Sequence, residues 1–158
     1  MRDSKLGQWA SGAEIISAAA VIVSLLYVAM QIKQNTVAVQ SNTFQEVAAE
    51  WGGLQLAIIE NSDFADILIK AESQESLTPS EAYRLNTWIF YMLTNWEQAF
   101  LGYEQGLLAE EGWLGWDGYY KWLVGQSYFR SAWDANPVEG FAPSFMQYVN
   151  QHLESLEQ

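Results

Sequence analysis

The chain has 158 residues, 50% of them apolar and 15% aromatic, with 7 basic against 19 acidic side chains and a formal charge of −12. That balance fits one compact domain and excludes a disordered or low-complexity protein. The absence of cysteine and the presence of one histidine, His152, exclude disulfides, thiolate metal sites, iron–sulfur clusters and most histidine-dependent mechanisms.

Residues 1–13 read as an N-terminal tail. Between Glu14 and Lys33 stand eighteen uncharged residues, IISAAAVIVSLLYVAMQI. As a helix they span about 27 Å, against a hydrocarbon core of about 30 Å. Extending the helix back through Ala10 to Ala13 sets Trp9 and Lys33 at the two interfaces, where aromatic and basic side chains anchor membrane helices. Residues 14–33 are therefore expected to form a single transmembrane helix. A signal peptide is the weaker reading, because no small-x-small cleavage site precedes the polar QIKQNT segment.

Within this segment Ala13, Ser17, Ala20 and Ser24 recur at four-three-four spacing, which aligns them along one face. Small residues in line let a second helix approach closely, so these four are the candidate membrane helix contact. The same steps continue through Tyr27, Gln31, Gln34, Ala38, Ser41, Gln45 and Ala48.

Residues 34–158 read as an acidic, all-α domain holding four basic and seventeen acidic groups. Nucleic acid is excluded as a partner on charge, and a strongly anionic lipid surface is disfavoured. Val37, Phe44, Trp51 and Ile58 repeat every seven residues, with Val47 and Leu54 between them, so the membrane helix is expected to continue as a long coiled-coil-like helix to about Glu60. Gly52 and Gly53 are its expected weak point. Asn61 and Ser62 mark a stop and a new N-cap before DFADILIKA.

Thr78, Pro79 and Glu81 form a capping box that opens a long helix. Its stripe runs through Leu85, Ile89, Met92, Trp96, Ala99 and Tyr103, widened by Leu93 and Phe100, and Gly106 ends it. This helix is expected to pair antiparallel with the first, giving a small helical bundle. Eight aromatic residues then crowd the stretch from Trp113 to Trp133, where short helices broken at Gly125 and at Asn136-Pro137 are expected. A last helix runs from Pro143 to about Leu156, with Phe145, Tyr148, Val149, His152 and Leu156 on its inner stripe.

Catalytic signals are weak. Gly112, Gly115 and Gly118 lack the spacing, preceding strand and Lys-Ser/Thr pair of a phosphate loop. Glu97 and Glu104 share a helix face, but the Glu-x-x-His motif of di-iron bundles is missing because Val149 stands three before His152. No G-x-S-x-G elbow is present. No catalytic residue, metal or cofactor is assigned. The tryptophan cluster has two readings: it fills the core, or it presents an interaction surface of Trp113, Trp116, Trp122, Arg130 and Trp133.

The QIKQNT segment at 31–36 after a hydrophobic helix, EQAFLGYEQGLL at 97–108, EEGW at 110–113 and FAPSFMQYV at 141–149 resemble the pattern of an uncharacterised family of small bacterial single-pass membrane proteins. The resemblance implies attachment to the bacterial inner membrane and a helical domain, and brings no activity. It also implies that the domain is cytoplasmic, whereas Arg2 and Lys5 before the segment against Lys33 after it favour a cytoplasmic N-terminus by one side chain. The expected orientation follows the resemblance.

The expected role is non-enzymatic: a membrane-anchored interaction protein, either associating with itself or serving as an accessory subunit of a larger membrane complex. Two alternatives are an oligomeric pore lined by Ser17, Ser24, Gln31 and Gln34, and a ligand-binding or enzymatic domain with its pocket among Trp113, Trp116, Trp122 and Arg130.

Overall fold

The computed structural model describes residues 2–135 and 140–156, and side chains from Ala13 onward apart from those of residues 15, 134 and 135. Six helices make up the described chain, with no strand among the described residues: α1 Arg2–Glu60, α2 Ser62–Glu72, α3 Pro79–Glu104, α4 Glu110–Val124, α5 Ser127–Ala135 and α6 Pro143–Ser155. The fold is all-α, as its periodicities require. The side chain of Trp9 and the Asn136-Pro137 break lie outside the described residues.

Contacts divide the chain into two units, residues 1–39 and residues 40–158. The first is the N-terminal part of α1. Every described side chain from Ile16 to Ala38 is exposed within the molecule, and this stretch is long and apolar enough to cross a membrane.

The second unit is the bundle. Here α1 lies antiparallel to α3: Gln40 reaches the carbonyl of Gly106, Thr43 sits beside Gly102, Glu50 meets Asn95, and Leu54 to Asn61 face Arg84 to Tyr91. Val47 and Leu54 enter the core, while Phe44 and Trp51 of the same heptad pattern turn toward α4. Gly52 and Gly53 neither break nor stop α1, which continues to Glu60. The side chain of Asn61 donates to the Ala57 carbonyl at 3.0 Å, so it closes α1 and leaves the start of α2 without a side-chain cap.

α2 buries Phe64, Ile67 and Ala71 against α3 and is held by two ion pairs, Asp63 with Arg84 and Lys70 with Glu81, both at 2.6 Å. The predicted capping box is present in full: Thr78 Oγ1 accepts from the Glu81 amide, and the Glu81 carboxylate accepts from the Thr78 amide. Gly106, at φ +71°, ends α3 in a Schellman turn, with its own amide on the Tyr103 carbonyl and the Leu107 amide on that of Gly102.

Trp96, fully buried, is where α3, α4 and α6 meet. Its ring stacks on Tyr120 at 5.5 Å and meets the edge of Phe145 at 5.3 Å. One turn on, Phe100 packs between Trp113 and Tyr148. α6 buries Phe145, Val149 and Leu153; Leu156, expected on this stripe, is exposed because the helix ends at Ser155 and Leu153 takes the inner position.

Candidate functional site

The aromatic stretch divides by helix geometry. Trp113 and Trp122 are nine residues apart, two and a half turns, and so leave α4 on opposite faces. Trp113 is only 5% exposed, stacked on Tyr103 at 5.4 Å, and Trp133 is 7% exposed, with its indole nitrogen donating to Asn150 at 3.1 Å. These two are core residues and do not belong to an interaction surface. Each large ring gains more from burial than from contact with a transient partner. Arg130 is half-buried in α5 and engaged there. The expected pocket among Trp113, Trp116, Trp122 and Arg130 therefore does not form as one cavity.

What forms instead is a cleft between α1 and α4. Phe44 and Trp51, one heptad apart on α1, face Trp116 and Tyr119 of α4; the ring centroids lie 6.2 Å apart for Phe44 and Trp116, 6.2 Å for Trp51 and Trp116, and 4.7 Å for Trp51 and Tyr119. Trp122, 62% exposed, continues the row beyond Tyr119 at 5.7 Å. The cleft holds about 410 Å³, and Glu111, Gly112 and Gly115 complete its lining. Composition pointed to the tryptophans of α4, but not to Phe44, Trp51, Tyr119 and Glu111. The heptad spacing of Phe44 and Trp51 was the available signal, and the missing fact was that α4 covers that flank of α1.

Among the described residues, Asn95 and Asp117 are polar side chains buried in the bundle. Asn95, 1% exposed, accepts from the Tyr120 hydroxyl and donates to Glu50 at 3.0 Å, and burial pushes the Tyr120 phenol well above its ordinary range. Asp117 accepts from Tyr148 at 2.6 Å and pairs with Lys121 at 2.8 Å, whose ammonium lies 4.9 Å over the Tyr148 ring. Burial, then the Asp117 hydrogen bond, raises the Tyr148 phenol to about 12. Both networks are satisfied internally, so they fix helix register and offer no free acid or base.

Glu97 and Glu104 are not a carboxylate pair. Glu97 accepts from the Ala142 amide at the start of α6, and Glu104 is exposed. His152 sits 3.2 Å from the Lys121 carbonyl, near the end of α4, and its Nε2 donates there. No three His, Asp or Glu side chains converge into a metal-holding group among the described residues.

In the first unit Ala13, Ser17, Ala20 and Ser24 are all exposed within the molecule. The Ser24 hydroxyl donates to the Ala20 carbonyl at 2.8 Å, and Gln31 donates to the Tyr27 hydroxyl at 2.8 Å. Each of these two bonds closes within α1 itself.

No family model, curated protein or solved structure matches the chain.

Proposed function

We propose that this chain is a single-pass membrane protein of the bacterial inner membrane, whose helical domain is cytoplasmic and whose role is assembly, with a second copy or as an accessory subunit of a larger membrane complex. The observation that carries the reading is energetic. Ten large apolar side chains between Ile16 and Ile32 are exposed on α1. Leaving each in water forgoes roughly 1.5–3 kcal/mol, and together they exceed the roughly 5–15 kcal/mol by which a whole domain is stable. A bilayer covers such a surface. The small-residue stripe then offers a second helix close approach.

Membrane fractionation with alkaline wash tests the anchor: the chain stays in the pellet if it spans, and recovery in the supernatant overturns the reading. Purification in mild detergent, with complex mass and identification of every co-eluting chain, tests assembly. A mass equal to one chain plus detergent overturns it. Because the natural chain has no cysteine, Gln147→Cys supplies a unique thiol on exposed surface, and an impermeant reagent added to intact cells reports its side. Protection until the cells are opened is the expected result; labelling in intact cells reverses the orientation.

A further inference from the structure

We propose that the cleft between α1 and α4 binds an alkylated ammonium cation, of the trimethylammonium class. Ring faces carry negative potential, and a cation within about 6 Å of several ring centroids gains from each. Phe44, Trp51, Trp116 and Tyr119 bring four rings to one cleft, and the Glu111 carboxylate adds the only formal charge on its lining.

The molecule satisfies the same chemistry internally elsewhere. The Arg84 guanidinium lies 5.4 Å over Phe64, and the Lys121 ammonium lies over Tyr148. The α1–α4 cleft has the rings and the carboxylate, but none of its lining residues is basic. Lys70, Arg84 and Lys121 are paired with Glu81, Asp63 and Asp117. The acidic excess of the domain draws cations toward it.

The chemistry of the lining selects among cations. A hard metal ion needs several oxygen ligands, and the lining offers one carboxylate. A primary ammonium holds its water strongly and loses it at a cost on so apolar a wall. A trimethylammonium group carries its charge on an apolar surface and matches both features. Space for it exists above Gly115, where an added Cβ meets nothing within 4 Å.

The full chain in a maltoside detergent is titrated with choline chloride while tryptophan fluorescence is followed. Sodium chloride at equal ionic strength and 3,3-dimethylbutanol, the uncharged isostere, serve as comparisons. Choline should saturate, with the isostere at least about tenfold weaker. Gly115→Leu fills the cleft from an open helix position and should abolish saturation without lowering the melting temperature; Glu111→Gln should weaken binding about threefold or more. A choline signal that does not saturate, an isostere that binds as well, or a Gly115→Leu variant that melts and binds like wild type overturns the proposal. Repeating the titration in phosphatidylcholine and phosphatidylglycerol nanodiscs separates the sources. Choline binding lost only in phosphatidylcholine identifies a lipid headgroup, equal binding in both identifies a soluble cation, and either result supports the site. The detergent titration and its two variants do not depend on how the chain is anchored or what it assembles with.

Discussion

The Tyr120 hydroxyl donates to the side-chain oxygen of Asn95, joining α4 to α3 in the middle of an aromatic core. Tyr120→Phe keeps the ring against Trp96 and removes only the donor. A buried acceptor left without a partner costs about 1–3 kcal/mol, so the variant should lose that much stability in denaturant unfolding. A double-mutant cycle with Asn95→Leu isolates the bond, because removing both groups costs less than the two single changes combined. Strict additivity would show that the contact contributes nothing.

A second expectation concerns acid. The Lys70 ammonium and the Thr78 backbone hold Glu81 down to about 2, against an ordinary value of 4.5. The folded pKa is the lower one, so the folded state binds fewer protons than the unfolded state in between. The stabilisation is therefore complete above the ordinary value and is lost as pH falls from about 4.5 toward about 2. Asp63, lowered by Arg84, acts in the same direction. Melting temperature should fall over this window, and Glu81→Gln should flatten the fall. An identical slope in the variant would place the acid sensitivity elsewhere.

These local devices differ in how far the sequence disclosed them. The Thr78–Glu81 box and the Gly106 stop are written in adjacent residues, where backbone geometry alone decides the outcome, and both form as read. The antiparallel partner of α1 was legible because its apolar stripe and that of α3 had nowhere else to go. Trp113 and Trp122 could not be sorted by composition: both are large and apolar, and only the phase of α4 against α3 buries one and leaves the other in solvent. The α1–α4 cleft was hidden for the same reason. Phe44 and Trp51 sit on a heptad position, which reports a flank of the helix but not which neighbour covers it.

The glycines of α4 allow a paired experiment. Gly118 faces open space, so Gly118→Ala gains helix propensity of about 0.5–1 kcal/mol with no steric cost. At Gly112 the new Cβ would stand 3.0 Å from the Phe44 ring, so tight that the ring must give way by a few tenths of an ångström. Gly112→Ala should therefore gain less than Gly118→Ala, or lose stability outright. Equal gains in thermal unfolding would mean that Phe44 moves freely at the cleft edge.

The last expectation follows from how α6 begins. Its N-cap residue is Ala142, which has no side-chain oxygen to offer the free amides of the first turn. Glu97 reaches from α3 instead, and its carboxylate accepts the Ala142 amide. A negative charge at this end also opposes the positive end of the helix dipole. Glu97→Ala removes both effects and should cost about 0.5–2 kcal/mol, the range of a lost cap. Glu97→Gln keeps an acceptor without the charge and should fall between the two. Hydrogen exchange gives the decisive reading: protection in the Glu97→Ala variant should drop first at the start of α6, while Val149 and Leu153, buried further along, hold the remainder in place. Loss spread evenly over α3 and α6 would mean that Glu97 supports packing between the helices and not the start of one.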